Sequence, residues 1–203
     1  MIVKVCGMRE AENICAVEQA GADWMGFIFY PRSPRFVSDP PAYLPLSVRR
    51  VGVFVNAGEA DILPRAAAFR LDLVQLHGKE HPQLCERLQQ EGLKVIKAFA
   101  PKQAEDFTAT ADYEGCTDYF LFDTPTASYG GSGRSFDWDL LRHYTGRTPF
   151  LLSGGLRPDS LEALKRFRHP CWAGIDLNSG FETAPGRKDA ELLQSFITKF
   201  KSH

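Results

Sequence analysis

Eight short, strongly apolar runs punctuate the chain: Ile2–Cys6, Trp24–Phe29, Val51–Val55, Leu73–Leu76, Val95–Phe99, Tyr119–Phe122, Pro149–Leu152 and Ala173–Leu177. Their starts lie 22, 27, 22, 22, 24, 30 and 24 residues apart. Runs that are continuous, where a half-buried strand would alternate, read as strands covered on both faces, which is the habit of a parallel sheet. Each interval leaves room for one crossover. Leu192, Leu193, Phe196, Ile197 and Phe200 form one stripe of an amphipathic helix. Pro158 stands where a first-turn proline belongs, ahead of Leu161 and Leu164. Pro82 does the same ahead of Leu84 and Leu88, and Gly92 stops that helix. Residues 10–20 carry Ile14 and Val17 on one side and end at Gly21. Two crossovers are weak. Pro40, Pro41 and Pro45 shorten whatever follows the second strand, and residues 101–116, with Phe107 nearly alone, make a poor helix.

Eight strands in one spacing class, each followed by a helix or its remnant, predict an α/β fold: a closed (β/α)8 TIM barrel. An open doubly wound sheet is the structural alternative. The chain has no G-x-G-x-x-G after its first strand and is short for eight open strands. A length of 203 residues permits one domain or two. With no linker, composition break or low-complexity tract, residues 1–203 read as a single catalytic domain.

Charge and cysteine usage narrow the partners. Lys and Arg number 24 against 25 Asp and Glu, without a like-charge run, so no nucleic-acid or anionic-membrane surface is expected. Trp24–Tyr30 is the longest strongly apolar stretch and is far short of the ~20 residues of a membrane span. The first residues read as a strand, with no signal-peptide core. Five cysteines (6, 15, 85, 116 and 171) form no C-x-x-C pair, which fits a reduced, cytoplasmic protein with neither disulfides nor a zinc site.

Chemistry in such a barrel sits at the C-terminal ends of the strands. Those ends are Cys6, Phe29 (with Arg32 and Arg35 in the loop beyond), Asn56, His77, Phe99, Asp123, Ser153 and Asp176. The seventh and eighth loops, Ser153-Gly154-Gly155-Leu156 and Asp176-Leu177-Asn178-Ser179-Gly180, are glycine-rich. Backbone N–H groups in paired loops of this kind bind phosphate, although either loop alone reads as a tight turn. The sixth loop, Ser128–Phe136, reads either as a lid, with Phe136 or Trp138 docking on closure, or as a solvated surface loop.

Single residues leave alternatives open. Cys6 is either a small buried hydrophobe or a base; at an ordinary thiol pKa of ~8.5 a base needs help. Lys4, about 6.6 Å below it on the same side of the strand, is expected to lower that pKa, with aid from the first helix N-terminus. Asp123 ends an aromatic strand, Tyr119-Phe120-Leu121-Phe122, and reads as a general acid whose pKa is raised by its apolar neighbours, or equally as a cap. His77 contacts substrate or satisfies its turn. Arg35, in a loop stiffened by Pro31 and Pro34, is suited to clamp a carboxylate, where most arginines are simply solvated. Alternation turns Lys4, Gln75 and Lys97 inward, so each needs a buried partner, and Asp176 is the candidate for Lys4.

The ordered motifs Val3-Lys4-Val5-Cys6-Gly7, Ser33-Pro34-Arg35, Val74-Gln75-Leu76-His77-Gly78, Phe122-Asp123, Gly130-Gly131-Ser132-Gly133 with Phe136-Asp137-Trp138, Ser153-Gly154-Gly155-Leu156 and Asp176-Leu177-Asn178-Ser179-Gly180-Phe181-Glu182 run the length of the chain. Together they resemble the phosphoribosylanthranilate isomerase family of tryptophan biosynthesis. Asn178 is a departure, where serine is commoner. The resemblance implies an Amadori rearrangement turning an aminoaldose phosphate into a 1-amino-1-deoxyketose phosphate, without cofactor or metal. It implies Asp123 as general acid on the ring oxygen and Cys6 as general base at C2′. By the same resemblance Arg35 holds the anthranilate carboxylate, Gly133, Gly155, Ser179 and Gly180 hold the phosphate, and His77 and Asp176 line the sugar. The partner is then a small phosphosugar–anthranilate substrate, taken by a monomer or homodimer.

Rival readings stay distinguishable. A ribulose-phosphate epimerase wants paired carboxylates or a His/Asp metal set, and an indole-glycerol-phosphate synthase wants catalytic Lys and Glu; Cys6 with Asp123 fits neither. A non-enzymatic phosphometabolite-binding barrel predicts ligand binding that survives loss of both residues, with no turnover.

Overall fold

Parallel pairing runs around the whole molecule and returns to its start, because the first strand pairs with both the second and the eighth. The structure is a computed structural model describing residues 1–123 and 138–202. Its barrel strands are β1 (Ile2–Cys6), β2 (Trp24–Ile28), β3 (Arg49–Phe54), β4 (Leu73–Leu76), β5 (Lys94–Phe99), β6 (Tyr119–Asp123), β7 (Phe150–Ser153) and β8 (Trp172–Leu177), in sequential order around the closed ring. Each of the eight apolar runs is a strand, within two residues at either end.

The crossovers follow the sequence pattern. α1 (Ala11–Gln19), α2 (Glu59–Phe69) and α3 (Pro82–Gln90) are regular helices, and α4 (Leu161–Arg166) continues a 3₁₀ turn begun by Pro158. Residues 29–48, with their five prolines, form no helix, and Ala104–Tyr113 winds only as a 3₁₀ helix. After β8 comes an antiparallel pair, β9 (Glu182–Ala184) and β10 (Arg187–Lys188), and then α5 (Ala190–Lys201). Asp189 caps α5 by accepting from the Leu192 N–H at 2.9 Å. The stripe of α5 buries Leu193, Phe196, Ile197 and Phe200, while Leu192 is half-buried.

Two apolar layers hold the scaffold. A small one fills the barrel floor: Trp24, Val51, Leu73, Ile96, Ala98, Leu121 and Leu151. The larger one lies between strands and helices and is rich in rings; Phe122 sits 5.1 Å from both Tyr144 and Phe150. Close packing of edge-to-face rings adds to the area they bury.

Strand parity decides which polar residues reach the interior. Lys4 is level with Trp24 on one side and Asp176 on the other, and it faces inward. Lys97 does not. Its neighbours Ile96 and Ala98 belong to the interior layer, which turns Lys97 outward beneath the fourth βα loop. There its Nζ donates to the carbonyls of Gly78 at 2.7 Å and Leu76 and Ala98 at 3.2 Å, with Glu80 Oε2 at 3.4 Å. Rings of Phe99 and Tyr113 lie 5.5 and 5.6 Å from the ammonium. Burial lowers the Lys97 pKa, although Glu80 opposes that shift.

Candidate functional site

One cleft of about 440 Å³ opens at the C-terminal mouth of the barrel, within the size range of small-molecule sites. Cys6, Arg35, His77, Asp123, Gly155, Asp176 and Ser179 all line it, together with Gln75, Ser153, Gly154 and Asn178. Gly180 supports the cleft from behind: a Cβ built on it would meet the Leu156 carbonyl oxygen at 2.1 Å. Only glycine lets the seventh and eighth loops approach this closely. Gly133 and the rest of the Ser128–Phe136 loop lie outside the described residues. Trp138, just past them, packs its ring 5.9 Å from Phe167.

Three of the strand-end residues are not at this mouth. Phe29 and Phe99 have the outward parity of their strands and are packed away, Phe29 against Phe54 at 5.0 Å and Phe99 against Phe120 at 5.1 Å. Asn56 tightens its own loop, donating its backbone N–H to Glu80 Oε1 and accepting from the Lys79 N–H, both at 2.7 Å.

Charge is organised in layers. Deep in the cleft, Lys4 Nζ donates to Asp176 Oδ1 at 2.9 Å, with the two side chains 0% and 6% exposed. Ser153 Oγ lies 3.4 Å from the other Asp176 oxygen. Burial works against the Lys4 charge, but Asp176 and Cys6 more than offset it and leave its pKa raised. Cys6 corrects an expectation. Burial pushes its thiol pKa up, Lys4 pulls it down, Asp176 pushes it up again, and the net direction is upward. Burial, the largest effect, outweighs the pull of Lys4, so Lys4 does not by itself make Cys6 a thiolate.

Across the barrel, Gln75 donates its amide N–H to His77 Nδ1 at 2.9 Å. Nδ1 is then the acceptor, the ring proton sits on Nε2, and Nε2 lies 3.4 Å from Asp123 Oδ2. Asp123 is half-exposed to the cleft rather than enclosed by the rings of its strand, because Phe120 and Phe122 point outward into the helical layer.

At the rim, Arg35 Nε and Nη2 donate to the two oxygens of Glu182 at 2.8 and 2.5 Å. Lys188 Nζ reaches Glu182 Oε1 at 2.6 Å and Asn178 Oδ1 at 2.7 Å. Against the cost of burial, these bonds hold the Glu182 pKa at about 2.

A family model described as N-(5'-phosphoribosyl)anthranilate (PRA) isomerase matches residues 3–199. The chain belongs to the PRA isomerase family. A relative from Phocaeicola vulgatus, named N-(5'-phosphoribosyl)anthranilate isomerase, is 58% identical over 201 residues, covering 99% of this chain and 98% of its own. The crystal structure of phosphoribosyl anthranilate isomerase from Thermotoga maritima superposes with a TM-score of 0.82 at 36% identity, covering all of both chains. Another phosphoribosyl anthranilate isomerase structure, in complex with reduced 1-(o-carboxyphenylamino)-1-deoxyribulose 5-phosphate, has a TM-score of 0.81 at 34% identity and covers all of both chains. The barrel expected from the spacing is therefore the PRA isomerase barrel, and the activity is that of an isomerase of tryptophan biosynthesis. No helix among the described residues is long and apolar enough to cross a membrane.

Sequence reasoning missed part of the PRA isomerase cleft. Lys188 carried no signal, because it lies on a two-residue strand after the last barrel strand. Glu182 was legible only as the end of a motif. Gln75 was legible as an inward polar residue, which its parity with Leu73 and His77 makes it.

Proposed function

We propose that Asp123 and Cys6 are the general acid and base of an Amadori rearrangement that converts N-(5'-phosphoribosyl)anthranilate into 1-(2-carboxyphenylamino)-1-deoxyribulose 5-phosphate. One observation carries the reading: both residues line one cleft from β1 and β6, three strand positions apart around an eight-membered ring. A ribose between them presents opposite sides to a carboxyl and a thiol.

Asp123 donates a proton to the furanose ring oxygen as the C1′–O4′ bond breaks and the aryl nitrogen's lone pair forms the C1′ iminium. Cys6 removes the C2′ proton, and the electrons of that C–H bond neutralise the iminium, giving an enolamine. Tautomerisation to the 2′-ketone completes the isomerisation without net redox change. The upward direction of the Cys6 thiol pKa is compatible with this order. The iminium cation arises beside Cys6 only after ring opening, so it both acidifies C2′–H and favours thiolate. The His77 Nε2–H steadies the Asp123 carboxylate once its proton has left. Asp176, already fixed by Lys4, has its remaining lone pairs for sugar hydroxyls.

Arg35 holds the anthranilate carboxylate. Gly155, Ser179 and Gly180, with Gly133 from the sixth loop, hold the phosphate through backbone N–H groups. Five free cysteines and a net charge of −1 suit a cytoplasmic enzyme acting on a small anion, as a monomer or homodimer, with no nucleic-acid partner. The test is loss of anthranilate fluorescence on freshly generated substrate. Cys6→Ala and Asp123→Asn are each expected to lower kcat by ~10²–10⁴ while affinity for the reduced product stays within a few-fold. Turnover at the wild-type rate by either variant refutes the assignment.

A further inference from the structure

The residues that follow β8 form a brace around Arg35. Asn13 of α1 grips β10 from both sides: its amide donates to the Lys188 carbonyl, and the Lys188 N–H donates to its oxygen, each at 2.8 Å. Lys188 is thereby fixed with its ammonium fully buried on Glu182 and Asn178. Glu182, 5% exposed, accepts from four donors: Arg35 Nε and Nη2, Lys188 Nζ, and the Gly186 N–H at 3.0 Å. A carboxylate saturated in this way is a fixed part of the wall.

Arg35 is held from behind as well. Gly7 has φ +79°, and a Cβ there would stand 2.6 Å from Arg35 Cδ, so the arginine stem lies directly on the turn that follows Cys6. A guanidinium has five N–H donors along two bidentate edges. Glu182 occupies the Nε–Nη2 edge, which leaves the two N–H groups of the Nη1–Nη2 edge without a partner among the described residues, on a residue that lines the cleft. Arg35, Lys188 and Glu182 together carry one positive charge in excess, and a single monoanion balances it.

We propose that Glu182 and Lys188 are positioning residues that aim the free edge of Arg35 and so set the selectivity of the aryl end of the site for a carboxylate. The inference rests on the reading of Arg35 as the carboxylate holder. The brace makes Arg35 a pre-organised clamp with one planar edge that no described residue occupies, where a solvated arginine would have to be immobilised by each substrate.

Two stable ligands test this by calorimetry: reduced 1-(o-carboxyphenylamino)-1-deoxyribulose 5-phosphate and its counterpart made from aniline, which lacks the carboxylate. The readout is the ratio of their Kd values. Arg35→Ala is expected to collapse that ratio; an unchanged ratio refutes the reading of Arg35 itself. Given that collapse, Glu182→Gln is expected to lower the ratio about tenfold, the scale of one charge-assisted hydrogen bond, with the aniline ligand's Kd within twofold. In an Arg35→Ala background, Glu182→Gln is expected to change the ratio no further. A change of both Kd values alike, an intact ratio, or an equal effect with and without Arg35 each overturns the brace. Lys188→Gln, which drops the charge and keeps a donor, is expected to lower the ratio in the same sense and stands in should Glu182→Gln fail to fold.

Discussion

Lys4→Met keeps most of the side-chain length and removes a charge that is 0% exposed. What remains is the Asp176 carboxylate, 6% exposed, with Ser153 Oγ at 3.4 Å and, among the described residues, no other cation at hydrogen-bond distance. Stranding one partner of a buried pair costs about 3–5 kcal/mol, which for a domain of this size is a Tm loss of about 6–20 °C. Adding Asp176→Asn removes the stranded charge, so the double variant is expected to recover most of that loss. The same pair of variants reports on Cys6. Lys4 pulls the thiol pKa down more than Asp176 pushes it up. The pKa should therefore rise in the order wild type, double variant, Lys4→Met. Alkylation of Cys6 against pH, followed by peptide mass spectrometry to separate it from the other four cysteines, measures that order. The rising limb of kcat/KM against pH should move the same way, since a base with a higher pKa is deprotonated only at higher pH. A Lys4→Met enzyme that alkylates at least as fast as wild type, or a double variant no more stable than the single, refutes the account.

Other expectations follow from the rim and the glycines. Glu182 has its pKa held at about 2 in the fold, below an unfolded value of 4.5. Its stabilisation, on the order of 3 kcal/mol, is present above the unfolded pKa and is lost as pH falls from about 4.5 toward 2. Denaturant melts across that window should accordingly show a flatter pH dependence in Glu182→Gln than in wild type; equal slopes contradict it. Gly7→Ala places a Cβ 2.6 Å from Arg35 Cδ at φ +79°, so a loss of ~1–2 kcal/mol and a several-fold rise in KM are expected. Unchanged melting and KM would refute that contact. Gly180→Ala meets the Leu156 carbonyl, which is backbone and cannot swing aside. It should weaken inhibition by inorganic phosphate and raise KM more than it lowers kcat, and an unaltered phosphate inhibition constant would count against the proposed phosphate site.

Strand positions and fold class were legible in the amino-acid sequence because a parallel strand buried on both faces can tolerate few polar residues, so its apolar run stands out whatever surrounds it. The same physics hid the facing of each side chain. In such a strand apolarity does not distinguish the barrel interior from the helical layer, so Lys97, Phe29 and Phe99 looked inward although Ile96, Ala98 and the ring contacts show the opposite parity. Lys4 and Asp176 could be matched because the first and eighth strands must meet when a barrel closes. The burial that raises the Cys6 thiol pKa, the Gln75–His77–Asp123 alignment and the grip of Glu182 on Arg35 were decided by tertiary structure alone. Arg35 and Glu182 are 147 residues apart in the chain, and closure of the ring brings them to 2.8 Å. Local sequence determined what each segment is, through burial and turn chemistry. Which charges meet at the mouth depended on register around the ring, a property no single segment contains.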